Sequence, residues 1–516
     1  MLYIDFFEKG VARFPDREIV RQGQRALSYR QMDQLATRIA GALAHAGMGA
    51  DSKIGVYASN HIYGFACQYG ILRAGCVWVP INFRLSGPDA LEMAASLKVE
   101  WVFFHSSLSD HVRDFQRELP LVRGLVCLDC ETDFAPSLDR WMADAPIPAF
   151  PMRNPDDTAA LLCTSGTTGR SKGIVLSNRA FATMIASFDA VLPHDEPPVH
   201  LVITPLSHAA GVYGSCLLTH GGTNILLEHA EPGAILDAIE NHRVTTLFLP
   251  PTLIYMLLGH PDVRSRDFSS LRSMLYGAAP VAEQKLREAL DIFGPILVQL
   301  YGQSEALMIC AFMSAEEHVE ALTNPQLAQR LFAAGREGPM VRVEIMSDDG
   351  SILSPRAQGE IVVRGEIVMD RYFDDPEATR QAQLYGWHHT GDIGFKDEDG
   401  FIYIVDRKKE MIISGGFNIF PREVEQVVLT HPAIQDCAVV GIPDPKWGEA
   451  VMAAVELRSG ARLDVEQLLA HCRARLGAMK TPKSISIVDH LPRSSVGKVL
   501  RREVRAPYWP KNGRQV

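Results

Sequence analysis

The sequence lacks any apolar run of membrane-spanning length. Its most apolar piece, residues 247–258, is broken by Pro250 and Pro251, whereas a spanning helix needs about 20 apolar residues. It lacks a basic excess: with a net charge of -10 it does not read as a nucleic-acid binder, so anionic substrates must be held by local cations, helix N-termini and metal. Asp5 and Glu8 stand where a signal peptide would be uninterruptedly apolar, which makes the cytoplasm the expected address. Paired cysteine spacing is also missing. The nine cysteines are an odd count spread along the chain, as reduced thiols are. Cys127 and Cys130 make one C-x-x-C with neither a second pair nor a histidine nearby, and read as ordinary thiols rather than a zinc or redox site. There is no internal repeat and no low-complexity tract.

What is present is length and alternation. At 516 residues the chain exceeds one ordinary core. Helical spacing over 29–46 and 62–74 alternates with strand-like runs at 53–57, 77–81 and 99–104. The rhythm resumes with strands at 201–205, 224–228, 245–249, 273–276 and 296–299, each entering a polar or glycine-bearing turn. Residues 342–364 change to short alternating strands about the turn Asp348-Asp349-Gly350. Beyond 404–409 a compact unit begins, with helices at 422–430 and 465–476 and strands near 438–440 and 450–457. The expected fold class is α/β. A large N-terminal domain of helix-covered sheets plus a β-rich subdomain spans 1–405, and a small α+β C-terminal domain spans 406–516.

Residues 161–178 read LLCTSGTTGRSKGIVLSN. An apolar run enters Thr164-Ser165-Gly166-Thr167-Thr168-Gly169, with Arg170 and Lys172 close behind. Small hydroxyl residues and glycines let N–H and O–H groups converge on an anion, and the ammonium adds charge. It is not a Walker A loop, because Ser171 stands where the second glycine belongs and Gly173 follows Lys172.

Four more stretches follow in order: Gln299-Leu300-Tyr301-Gly302-Gln303-Ser304-Glu305, His389-Thr390-Gly391-Asp392, residues 406–416 (DRKKEMIISGG) and Pro492-Arg493-Ser494-Ser495-Val496-Gly497-Lys498. Together with the first, the set resembles the adenylate-forming superfamily of acyl-CoA synthetases, adenylation domains and beetle luciferases over nearly the whole chain. The resemblance implies attack of a carboxylate on the α-phosphorus of ATP to give acyl-adenylate and pyrophosphate, then displacement of AMP by a thiol. Such chemistry needs positioning and charge stabilisation more than a covalent nucleophile.

By the same resemblance, Thr164, Ser165, Gly166, Thr167, Thr168 and Lys172 fold over the β- and γ-phosphates, and Glu305 binds Mg²⁺. Ser304 stands where threonine is usual and keeps the hydroxyl. Gly277, Ala278, Ala279 and Pro280 lie beside the adenine, with Gln299, Leu300, Tyr301 and Gly302 in the same region. Asp392 grips the ribose hydroxyls and Arg407 adds a ribose or phosphate contact. Lys498 is the catalytic lysine of a mobile C-terminal domain that turns about Asp406 or Arg407, and Ser414, Gly415, Gly416 and Phe417 meet the pantetheine arm of coenzyme A. Lys409, Arg422, Lys446 and Lys483 are basic residues of that region and otherwise read as solvated charges. His208 gates the carboxylate at the mouth of the acyl pocket.

That pocket is expected among residues 207–212, 276–278 and 302–310, where Ala209, Ala210 and Gly211 are small and Leu307, Met308, Ile309 and Cys310 apolar. With no cation and no aspartate in these turns, the expected substrate is a hydrophobic monocarboxylic acid, a medium- to long-chain fatty acid ahead of an aryl acid. The expected enzyme is an acid–thiol ligase using ATP, Mg²⁺ and coenzyme A. Transfer of the acyl group to a carrier-protein thiol, a luciferase-like oxygenase and a non-catalytic nucleotide-binding regulator stand as alternatives, and a homodimer is left open.

Overall fold

The computed structural model describes residues 1–164, 172–277, 281, 283–415, 417–493 and 499–509. The chain divides into two compact units, Met1–Val343 with Val363–His388, and Glu344–Val362 with His389–Val516.

In the first unit the alternating pattern becomes two sheets. One has the strand order Gly124–Cys127, Trp101–Phe104, Lys53–Ala58, Val77–Asn82, Thr158–Thr164, Lys172–Ser177, Arg371–Tyr372. Its first five strands are parallel, and the last two join antiparallel. Tyr57, Val79, Val102, Phe104, Leu161 and Val175 pack in its core. Burying each such side chain contributes about 1.5–3 kcal/mol, so the core rather than the loops sets the register. Among the covering helices, Tyr29–His45 opens with a capping box between Ser28 and Gln31.

The second sheet runs, within this unit, Gly335–Glu337, Ala306–Met313, Leu297–Gln303, Ser273–Tyr276, Thr246–Leu249, Val199–Val202, Thr223–Leu226, Glu18–Gln22, Arg25–Ser28. One difference from the sequence expectation bears on the site. Periodicity ends a strand at Gln299 and leaves a turn, but the strand continues to Gln303 and reverses at Ser304 and Glu305 into Ala306–Met313, with Gln303 opposite Ala306. The apolar run after Glu305 buries itself by pairing back on the preceding strand, which turns the motif into a β-hairpin tip.

In the second unit, residues 359–362, 389–396 and 401–407 belong to neighbouring strands. A separate layer is built on the hairpin Ile434–Asp444 and Gly448–Leu457. Helices Pro421–Leu429 and Val465–Lys480 place Val424, Val428 and Leu468 against Val439, Val451 and Val455. No helix among the described residues is long and apolar enough to cross a membrane.

Candidate active site

In the first unit, Thr164 ends its strand opposite Lys172, the first residue of the returning strand. Ser165, Gly166, Thr167 and Thr168 lie outside the described residues. The Lys172 Nζ stands 4.7 Å from the centre of the Tyr372 ring, and the Tyr372 hydroxyl donates to Glu305 Oε1 at 3.0 Å. A cation over an aromatic face gains about 0.5–2 kcal/mol, and a hydrogen bond to a charged group about 1.5–3 kcal/mol. The phosphate-stretch lysine and the hairpin-tip carboxylate therefore share one aromatic support. Glu305 is only 9% exposed, and its backbone carbonyl accepts from Met369 N–H at 2.7 Å. A buried, oriented carboxylate is a hard oxygen donor of the kind Mg²⁺ takes.

Tyr372 was not legible as a site residue. It lies 67 positions from Glu305 and outside the stretches that carry the resemblance, and reaches the site because it pairs across from Ile174 on the Lys172 strand. Its N–H donates to Thr379 Oγ1 at 3.0 Å.

Gly277 follows the strand Ser273–Tyr276, while Ala278, Ala279 and Pro280 lie outside the described residues. Gln299, Leu300, Tyr301 and Gly302 all belong to Leu297–Gln303, and Ser304 shares the turn with Glu305. The Tyr276 hydroxyl donates to Gln299 Oε1 at 2.9 Å and lies 2.7 Å from His318 Nε2, so Gln299 is held from behind by a buried polar pair.

His208 precedes the helix Ala209–Cys216, with Nδ1 2.8 Å from Ser207 Oγ. Burial, aided by the Arg84 guanidinium, lowers its pKa to about 4. Its imidazole is therefore neutral near pH 7 and can offer a hydrogen bond but no charge. Arg84 is an exposed cation near His208 that the motif reading passed over, because it follows the strand Val77–Asn82 far from His208 in sequence. Of the apolar residues expected at the acyl pocket, Leu307, Ile309 and Cys310 are buried, and Met308 is half-buried.

In the second unit, Asp392 and Arg407 are directly opposed across adjacent strands, with Arg407 Nε 2.7 Å from Asp392 Oδ1. Asp392 is 3% exposed. The turn before it is fastened to Glu360: Gly391 N–H donates to Oε1 at 3.0 Å, and His389 Nδ1 and Lys408 Nζ each lie 3.1 Å from Oε2. Gly391 has φ +72, a left-handed conformation that glycine adopts without strain. Glu360 is thus an anchor that the sequence did not mark.

Lys409 is exposed in the turn after Arg407. Asp406 accepts from the N–H groups of Arg407 and Arg422, each at 2.7 Å; burial raises its pKa to about 6. Arg422 is desolvated rather than a solvated charge, and desolvation lowers its pKa. Gly415, at φ +57, donates its N–H to Trp447 O at 2.8 Å, and a Cβ there would stand 2.7 Å from the Trp447 ring. Gly416 and Lys498 lie outside the described residues.

Two family models match the chain, AMP-binding enzyme over residues 7–373 and AMP-binding enzyme C-terminal domain over residues 423–498. A medium/long-chain-fatty-acid–CoA ligase, FadD8, of Mycobacterium tuberculosis is 41% identical over 369 residues, spanning 70% of this chain and 63% of that protein. A feruloyl-CoA synthase of an Amycolatopsis species is 37% identical over 95% of this chain and 96% of its own. Among solved structures, the amide bond synthetase McbA from Marinactinospora thermotolerans is similar with a TM-score of 0.89 at 30% identity, over 98% of this chain and 99% of that one. With both family models matched in order and near-full-length relatives on either side, the chain belongs to the AMP-binding enzyme family, the adenylate-forming superfamily.

Proposed function

We propose that this enzyme is an ATP-dependent carboxylate–CoA ligase that activates a hydrophobic monocarboxylic acid as its acyl-adenylate and then forms the acyl-CoA thioester. The observation that carries the reading is the Lys172–Tyr372–Glu305 unit, which joins a cation from the phosphate stretch to a buried carboxylate. Thr164, Ser165, Gly166, Thr167, Thr168 and Lys172 hold the β- and γ-phosphates. Gly277 to Pro280 and Gln299 to Gly302 line the adenine, and Asp392, oriented by Arg407, accepts from the ribose hydroxyls; a charged acceptor makes these strong hydrogen bonds. Glu305 would hold Mg²⁺, which when bound neutralises phosphate charge. Lys498, carried by the domain of residues 406–516, stabilises the charge that builds between carboxylate and α-phosphate. Gly415 and Gly416 line the path of the pantetheine thiol, and Lys409 meets the coenzyme A nucleotide.

The buried apolar residues 307, 309 and 310 support a hydrophobic acid, and FadD8 and the feruloyl-CoA synthase are named for a fatty and an aryl acid. A neutral His208 fits a gate that orients the carboxylate by hydrogen bonding. The deciding experiment is AMP release across an acid panel with and without coenzyme A. Fatty and aryl acids should lead acetate, malonate and free amino acids, and AMP release should rise with coenzyme A; preference for any of the last three acids overturns the pocket reading. Lys498→Ala should abolish adenylate formation yet leave thioester formation from supplied acyl-adenylate largely intact. Equal loss in both half-reactions would refute that assignment.

A further inference from the structure

The C-x-x-C that the sequence reads as ordinary thiols acquires partners in the fold. Cys127 ends the strand Gly124–Cys127, which runs parallel to Trp101–Phe104. The chain leaving each strand therefore emerges at the same carboxyl end of the sheet, bringing residues 105–107 against residues 127–130. Cys127 is wholly buried, and its N–H donates to Pro136 O at 2.9 Å, while Leu128 N–H donates to Phe104 O at 2.8 Å. On this frame the Cys127 and Cys130 sulfurs stand 3.8 Å apart, with Asp129 Oδ1 3.5 Å from the Cys127 sulfur. One ligand atom from each of the three residues falls within 4.8 Å of the others.

Two thiolates on a tetrahedral zinc, with bonds of about 2.3 Å, are separated by about 3.8 Å; a disulfide would bring the sulfurs to about 2.0 Å. The carboxylate is oriented by its own partners. Ser106 N–H donates to Oδ1 at 2.8 Å, Ser106 Oγ–H donates to Oδ2 at 2.6 Å, and His105 Nε2 lies 3.5 Å from Oδ2. His105 is in turn fixed by Ser107 Oγ, 2.9 Å from Nδ1. A ligating carboxylate with hydrogen-bonded outer partners is the usual construction of a metal site. Two sulfurs exclude Mg²⁺ and Ca²⁺, which prefer oxygen, and favour a borderline ion.

We propose that Cys127, Cys130 and Asp129 bind one divalent cation of the zinc class, with His105 and Ser106 orienting the carboxylate and a fourth position left for water. The site lies at the edge of the parallel sheet and ties together the exits of two neighbouring strands, separate from the Lys172–Tyr372–Glu305 unit in residues and in chemistry.

The test is a Co²⁺ titration of the reduced, chelator-treated full chain. A sulfur-to-cobalt charge-transfer band should saturate at one equivalent and disappear when Zn²⁺ is added. Cys127→Ser and Cys130→Ser should each remove the band with the circular dichroism spectrum unchanged. Asp129→Asn, which keeps both thiols, should weaken Co²⁺ binding about 10-fold or more, and His105→Gln about 10-fold. Zn²⁺ should raise the melting temperature of the parent and not of Cys130→Ser, because binding to the folded state alone stabilises it. Absence of the band, a band that survives in both cysteine variants, or formation of a Cys127–Cys130 disulfide in place of metal uptake would each overturn the site.

Discussion

Glu305 and Asp392 are both nearly buried carboxylates of an ATP-using enzyme family, and the fold positions them by opposite means. Asp392 is set locally: its partner Arg407 faces it across one strand pair, and the turn before it is fastened to Glu360. Glu305 sits at a hairpin tip and is set from a distance, by the hydroxyl of a tyrosine 67 positions away that also carries the Lys172 ammonium on its ring. The partners also differ in charge. A guanidinium balances the net charge of the pair while leaving the carboxylate an ionised acceptor for hydroxyl donors, whereas a phenol orients a carboxylate without balancing its charge. That difference fits ribose recognition at one and cation binding at the other.

The largest loss is expected from Glu305→Gln. It keeps size and a hydrogen-bond acceptor but removes the charge, and pyrophosphate exchange should fall about 10²–10³-fold, as when one electrostatic stabiliser of a transition state is lost. Raising Mg²⁺ should not restore it; full rescue would place the cation elsewhere.

Asp392→Ala should act next most strongly and differently. Two charge-assisted hydrogen bonds at about 1.5–3 kcal/mol each are at stake, part of which water replaces, so we expect kcat/KM for ATP to fall about 30–100-fold, mostly through KM. A variant that loses kcat alone would contradict a ribose-binding role.

Tyr372→Phe should be milder, about 10-fold in kcat/KM with a higher Mg²⁺ requirement, because the ring under Lys172 remains while the bond to Glu305 is lost. In double-mutant cycles it should couple to Glu305→Gln and be additive with Asp392→Ala. Additivity with both would dissolve the unit described above.

The smallest effect concerns His208. With its pKa depressed from 6.5 to about 4, the neutral form is the one the folded protein favours. Its contribution to stability is fully present above pH 6.5 and is lost as pH falls from 6.5 towards 4. Activity should therefore show no inflection from His208 between pH 8 and 5, and its imidazole resonances should not titrate over that range. An inflection near 6.5 that vanishes in His208→Gln would show the imidazole to be solvated.

Much of this architecture was legible because it is local. Helical spacing placed the helix Tyr29–His45, buried runs placed the parallel strands, and the family resemblance carried by the ordered motifs put Lys172, Glu305, Asp392 and Arg407 on the same list. The hairpin at Ser304 and Glu305 was missed because the apolar run after it carries no turn signal of its own and declares itself only by pairing back on Leu297–Gln303. Arg422, which spacing reads as a solvated charge, is desolvated in the fold, with Asp406 and Arg501 as charged neighbours that no sequence spacing shows.

By itself, then, the sequence determined the class of fold, because periodicity acts over a few residues at a time, and the kinds of group a nucleotide-activating site needs came with the family resemblance that its ordered motifs carry. Only the tertiary structure decided which groups meet. The pairing of Arg371–Tyr372 with the Lys172 strand, and the parallel neighbours that bring His105 to Asp129, join residues far apart in sequence, and such contacts follow from the register of buried strands rather than from any local pattern.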